Sequence, residues 1–491
     1  MTSAVARASS AARSFGLALA FFWLGFDAGV TRAEDPGACG PFEAGPTGIV
    51  ELAADRTVQG PGVTAPSRGR AASDFGSIVP LPTSAPPDSG SNDSASASTG
   101  GDSAESEALL ALPKNAAGSI PTDFELGQGA RITQSFFSPV ICATVARVTG
   151  PPGSRLDQLV TVVPETGIVV PNDVYASAAD EVRPIGEMKA TADPYAPLQY
   201  GLAISGVRAA RGLGSGEGVR IALLDSAPEF AHRDLAPSRI EAVATEAMID
   251  SSSGRAIQGK ASVHGTLMAG VIGAAENNGF GIAGLAPRAR IVSIPVCTPK
   301  GGAGGQCTIY QMLQGFDRAY DAKAVIVNLS LSGPPNPLLE RGVARLEELG
   351  LVVVAAAGND GREEKRYPAA YPSVIGVGAV DRDGKLFKSS NRGAWVELYA
   401  PGVEVLSTVP GSAFAFGSGT SLAAAHVTGS LAVLAGITGD AKRARSELFR
   451  VVNARPENSI PTLPAACDVL RRAGRRCGSG SKSASDSAKP R

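Results

Sequence analysis

The sequence predicts an α/β fold: a doubly wound, mostly parallel sheet with helices on both faces, preceded by a small α+β or β-rich unit. Three observations predict it. From about residue 195, continuous apolar runs alternate with helical patterns, as strands buried on both faces require. Glycine is plentiful at 59 residues and aromatics are sparse at 5%, which suits close packing of helix on sheet. Finally, the side chains able to do chemistry fall at strand ends and helix starts, where open α/β sheets gather their active groups.

In chain order, the first segment reads as an export signal, residues 1 to 33. Arg7 and Arg13 lead a short apolar core, FGLALAFFWLGF (15 to 26), and Ala33 offers a cleavage point. That core is short of the roughly 18 residues needed to span a bilayer, and no later segment reads as a membrane span. Residues 34 to 109 read as a Pro/Gly/Ser-rich, largely disordered linker. Within it, residues 84 to 107 carry acids, no bases, and no Val, Ile, Leu or aromatic residue. Residues 110 to 190 form a separate unit, either a pro-region or a permanent accessory domain; VICATVARVTG (140 to 150) and the runs after it read as strands.

The main domain is assigned to 191 to 477. GVRIALLD (218 to 225) is a buried strand, HGTLMAGVIGAA (264 to 275) a helix, and ARIVSIPVC (289 to 297) a strand. TIYQMLQGFDRAYDAKA (308 to 324) is amphipathic, VIVNLSLSG (325 to 333) a strand, and PLLERGVARLEELG (337 to 350) a helix. LVVVAAAGN (351 to 359) and SVIGVGAVD (373 to 381) are further strands. A long apolar helix opens at Ser421, and the polar tail 478 to 491 reads as disordered. Lysine plus arginine count 45 against 46 acids, which gives no footprint for nucleic acid. Six cysteines, an even number, fit an oxidising compartment. Proximity in sequence favours Cys297–Cys307 and Cys467–Cys477, leaving Cys39–Cys142.

Asp225 ends a strand, His264 opens a helix, Asn359 ends a strand and Ser421 opens a helix. These are the parts of acyl transfer. A serine hydroxyl needs a base, histidine titrates near neutrality, a buried carboxylate fixes the imidazole, and an amide donor stabilises the oxyanion. Three histidines without HExxH spacing argue against a zinc protease. His232 and His426 read as structural, which leaves His264 as the base.

The blocks IALLDSAPEFAHRDL, SVHGTLMAGVIGAAENNGFGIAGLAP, VIVNLSLSG, LVVVAAAGND and GSGTSLAAAHVTG, in that order, resemble the signature blocks of the subtilases, the subtilisin-like serine proteases. The resemblance covers about residues 193 to 455. It implies an endopeptidase with Asp225, His264 and Ser421 as triad and the Asn359 amide, with the Ser421 N–H, as oxyanion donors. It implies that Ser330, Leu331, Ser332 and Gly333 form the edge that pairs with an extended polypeptide substrate. Ala356, Ala357 and Gly358 would wall the pocket for the side chain before the scissile bond. No cofactor is required for the chemistry. ENNGFGIAGLAP resembles a metal loop, implying a structural calcium held by Asp234 and Asn278 with the Phe280 and Ile282 carbonyls. The pro-region would act as an intramolecular inhibitor of a periplasmic or extracellular zymogen. A catalytically impaired peptide-binding relative and a dedicated processing protease are the alternatives.

Four positions depart from the family pattern. Ala227, followed by Pro228, stands where Gly is usual after the aspartate, and would be strained by about 1 kcal/mol if that backbone were left-handed. Ser332 replaces a Gly in the groove. Leu422 replaces Met beside the nucleophile, and Ala425 replaces Pro in its helix.

Overall fold

A computed structural model describes Gly48–Ile49 and residues 105 to 477, apart from 115–119, 165, 178, 180–181, 186–191, 237–238, 244, 246–260, 301–303 and 457–458. The expected export signal, most of the linker, the C-terminal tail and Cys39 lie outside the described residues.

The N-terminal unit is β-rich. Strands β1 (Gly48–Ile49), β2 (Ser106–Pro113), β4 (Arg131–Ser138), β5 (Ala143–Gly150) and β7 (Ile168–Pro171) form one sheet in the order β1-β7-β2-β5-β4. The short strands β3 (Glu125–Leu126) and β6 (Val160–Val162) pair with each other, and α1 (Leu156–Leu159) lies just before β6. β2 begins inside the stretch read as linker. The correction has a simple cause: the run SEALLALP supplies the apolar residues that the preceding segment lacks, and six of its eight positions are buried.

The main body is a seven-stranded parallel sheet in the order β11-β12-β10-β15-β16-β17-β18. Its strands are β10 (Arg220–Asp225), β11 (Ile240–Ala242), β12 (Arg290–Pro295), β15 (Ile326–Leu329), β16 (Val352–Ala356), β17 (Val374–Val380) and β18 (Leu398–Pro401). β10 lies between β12 and β15, so the chain crosses the sheet first one way and then the other. Side chains alternate between the two faces. Ile221 and Leu223 join the core with α4 (Val263–Gly273), α7 (Thr420–Thr438) and α8 (Ala441–Val452). Ala222 and Leu224 join the core with α5 (Ile309–Asp321) and α6 (Pro337–Glu348). This is the two-faced burial that continuous apolar strands demand.

α7 has a mean hydropathy of 1.5 over a membrane-spanning length, against the expectation that no later segment would reach it; 89% of that stretch is buried inside the protein. Its apolarity serves the core. Cys297–Cys307 and Cys467–Cys477 are disulfide-bonded, and Cys142 is also disulfide-bonded.

The N-terminal sheet packs on the outer side of α5 and α6. Leu109, Val140, Ile141, Val145 and Val170 share a core with Tyr310, Leu313, Phe316 and Leu339. Polar contacts fix the docking. Ser138 Oγ and Val140 N donate to Asp317 Oδ1 at 2.8 and 3.1 Å, and Arg341 Nε donates to Ile141 O at 3.3 Å. Asp173 O and Asn172 Oδ1 accept from Ile309 N and Tyr310 N, satisfying orphan donors at the start of α5.

Candidate active site

Asp225 is the last residue of β10, the strand at which the chain reverses its progress across the sheet. Ligands gather at the carboxyl ends of strands at such a switch point. Ser262 N-caps α4 by accepting from His264 N at 3.2 Å, and thereby sets His264 in the first turn. Ser226 Oγ donates to Ser262 Oγ at 2.8 Å, tying the two segments together. Gly265 permits the close approach: a Cβ there would stand 2.0 Å from Ser226 O. His264 Nδ1 consequently lies 2.8 Å from Asp225 Oδ1, with both side chains buried. That oxygen also accepts from Ser226 N at 2.7 Å. A proton held on Nδ1 by this contact leaves Nε2 as the basic atom, and Nε2 has no hydrogen-bond partner among the described residues.

Ser421 is the second residue of α7 and is buried. Its Oγ donates to Ser330 O at 3.3 Å, and Ser330 Oγ donates to Ser421 O at 3.3 Å. Asn359 follows β16. Its Oδ1 accepts from both Thr420 N and Thr420 Oγ1 at 2.9 Å, while Thr420 Oγ1 accepts from Gly358 N at 3.0 Å. An amide anchored by its oxygen has its NH2 turned away from Thr420. Asn391, fully buried, props the same loop: it donates to Ala357 O and accepts from Asp360 N and Arg362 N. Ser262, Thr420 and Asn391 are positioning residues that the sequence reading missed. Only a capping serine before the His264 helix offered a signal for one of them.

The expected edge at Ser330–Gly333 is taken up by a strand of the chain itself. β8 (Val174–Ser177), the chain's own segment, pairs antiparallel with β14 (Gly304–Thr308), the second strand of a hairpin begun by β13 (Cys297–Lys300). On its other side Ala176 N donates to Ser332 O at 3.1 Å, and Ser332 N donates to Ala176 O at 3.0 Å. Ser330–Gly333 is thus an edge used through single bridges, at Ser332 to Ala176 and at Gly333 to Tyr367, rather than part of β15. Tyr175 is fully buried, with its hydroxyl donating to Pro334 O; a Cβ on Gly333 would meet its ring at 2.5 Å. Further on, β9 (Val182–Pro184) pairs with β20 (Ala413–Gly417), which ends just before Ser421 and pairs on its other side with β19 (Val405–Val409).

Ala227 is not left-handed, so the expected strain is absent; its carbonyl accepts from Ser262 N at 2.8 Å. Leu422 and Ala425 are fully buried in α7. His232 accepts from Asp234 N at Nδ1 and bonds Ala413 O through Nε2 at 3.1 Å, and burial holds it below its ordinary pKa. His426 Nδ1 bonds Leu422 O at 2.8 Å, and burial pushes it down to about 4. Both therefore serve packing.

The residues expected to hold calcium are closed by hydrogen bonds. Asp234 accepts from Asn278 Nδ2 at 2.8 Å and from Ile282 N at 2.7 Å, and Asn278 Oδ1 accepts from Phe280 N at 2.9 Å. Burial pushes the Asp234 carboxyl up to about 7. Each carboxylate oxygen of Asp234 thus accepts one N–H donor, and the loop is held together by its own hydrogen bonds. No group of three or more metal-ligating side chains is found among the described residues.

The family model for the subtilase family matches residues 216–444, from before β10 into α8. The chain is 36% identical over 245 residues to the major intracellular serine protease of Bacillus subtilis, covering 48% of this chain and 74% of that one. It is 38% identical over 226 residues to subtilisin BL of Lederbergia lenta, covering 46% and 78%. The chain belongs to the subtilase family. The thermophilic serine proteinase of Bacillus sp. AK1 is 37% identical over 230 residues, 44% of this subtilase, and the match spans about half of that relative's length, 52%. In all three the aligned part is less than half of this subtilase.

Proposed function

We propose that this subtilase is an exported serine endopeptidase, made as a zymogen, that hydrolyses peptide bonds in extended polypeptides. The observation that carries the reading is β8, a length of the chain's own backbone bonded as a peptide strand between β14 and Ser332, two residues along from Ser330, whose carbonyl accepts from Ser421 Oγ.

In this reading His264 Nε2 takes the Ser421 Oγ proton as the oxygen attacks the substrate carbonyl. Asp225 holds the tautomer and stabilises the imidazolium. The Asn359 amide and the Ser421 N–H take the charge of the oxyanion. The imidazolium then protonates the leaving amine, and water repeats the sequence on the acyl-enzyme. Ala356, Ala357 and Gly358 wall the pocket for the residue before the cut. The N-terminal unit, including β2 and the strands after it, is the pro-region, and β8 is the part that blocks the groove. Two disulfides support an oxidising compartment outside the cytoplasm. The printed name of one relative is intracellular, so family alone does not fix the location. Calcium has no part in the chemistry, and we read the Asp234 loop as self-sufficient.

Labelling with a fluorophosphonate tests the triad. The wild-type chain should label and Ser421→Ala should not. N-terminal sequencing of the same two proteins should find a new terminus between Ser177 and Val182 in the wild type alone. An unlabelled wild-type protein, or the same terminus in both, would sink the reading.

A further inference from the structure

The β13–β14 hairpin is one bank of the peptide groove, and its placement depends on a covalent bond. β14 meets the groove strand residue by residue, with Gly305, Gln306, Cys307 and Thr308 opposite Ser177, Ala176, Tyr175 and Val174. Among the described residues, β13 is its only other strand partner. When the groove is open, β13 and β14 remain as a two-stranded ribbon, a structure marginal in water by itself. The ribbon is also glycine-rich. β14 opens with Gly304 and Gly305, and glycine loses more freedom on ordering than any other residue.

Cys297 and Cys307 are the facing pair at the base of this ribbon, disulfide-bonded and buried. Cys297 follows Val296, whose N–H donates to Asp225 O at 2.9 Å. Cys307 precedes Thr308, the N-cap of α5. The bond therefore ties the groove bank at the point where the chain leaves the central sheet beside Asp225 and where it re-enters a helix. Cys307 also belongs to the bank itself, since its backbone lies opposite Tyr175.

We propose that the Cys297–Cys307 disulfide is a positioning element of peptide binding, holding the β14 bank ready while the groove is empty. Extended substrates then bind two preorganised banks; without the bond, each binding event has to order the ribbon first. The inference rests on the protease reading above.

The test compares wild type, Cys297→Ser/Cys307→Ser and Cys297→Val/Cys307→Val, each expressed as the full chain, activated, and normalised by fluorophosphonate titration. The valine pair refills the buried site if the serine pair folds poorly. Two substrates are assayed: an ester occupying only the position before the cut, and a peptide extending four residues on the acyl side. The expected result is a KM for the long peptide raised at least tenfold more than that for the ester, with kcat for the long peptide within about threefold of wild type. Equal losses on both substrates, or no change on either, would overturn the proposal. A wild-type protein that neither labels nor turns over either substrate would instead sink the protease reading beneath it.

Discussion

Asn359 shows how much of the proposed chemistry depends on single side chains being held by others. Its carboxamide is anchored through Oδ1 to the Thr420 backbone and hydroxyl, and Thr420 is in turn fixed by Gly358 N. Donors fixed in advance lower a barrier because nothing has to reorganise as charge develops. Asn359→Ala should therefore lower kcat by about 100- to 1,000-fold and leave KM nearly unchanged, a split read from steady-state kinetics. A matching rise in KM would mean that Asn359 binds the ground state instead. The identity of this residue was legible in AAAGND, but its anchor was not. Thr420 lies 61 positions away, and nothing local in the sequence brings the two together.

Elements carry the next level of control. The loop after α4 was expected to take calcium, and the Asp234 carboxylate accepts one N–H donor on each oxygen there. His232 fastens the same region to β20 through Ala413 O, and Phe414 packs edge-on against the imidazole. A loop satisfied in this way keeps its fold without a cation, so chelation with EDTA should leave the melting temperature unchanged; a fall of several degrees would show that a bound ion contributes. Five of the seven strands of the main sheet, and α4 to α7, were legible from their apolar runs, because a strand buried on both faces has no polar position to confuse the pattern; the short β11 and β18 were not. Most of the expected ends ran one to four residues long. VIVNLSLSG was read as one strand, but β15 stops at Leu329, and Ser330–Gly333 leaves the sheet to serve as an edge. Apolarity does not mark that change of role.

At the scale of the whole molecule, the docking of the N-terminal unit on α5 and α6 should respond to pH. Asp317 is buried at that contact, where burial pushes its carboxyl up to about 7. It faces Ser138 and Val140 from the N-terminal unit, with Arg318 and Asp321 on its own helix; Arg341 on α6 donates to Ile141 O in the same turn. Asp173, half-buried against Asn336, is pushed the same way. Once exposed, a carboxyl returns to about 3.9. Docking therefore favours the protonated form: this contribution is full below about pH 4 and is lost as pH rises to about 7, by up to tenfold in affinity per pH unit. After self-processing, the two parts should co-elute on size exclusion at pH 5 and separate by pH 8. Asp317→Asn should make that dependence shallower. A profile unchanged by the substitution would exclude Asp317. None of the three histidines lies in the N-terminal unit or on α5 and α6, so the usual neutral-pH sensor is not available there.

By itself, the sequence determined the fold class, the family, and the residues able to do acyl-transfer chemistry. Each is written in local pattern: apolar runs, capping residues, and short blocks in a fixed order. Only the tertiary structure decided what those residues touch. It brought Ser262 and Ser226 behind His264, freed Ala227 from strain, closed the Asp234 loop with N–H groups, and laid Val174–Ser177 between β14 and Ser332. These contacts join segments between 36 and about 160 residues apart. Hydrogen bonding and burial act through space, and chain order records only the residue types, not the partners the fold brings to them.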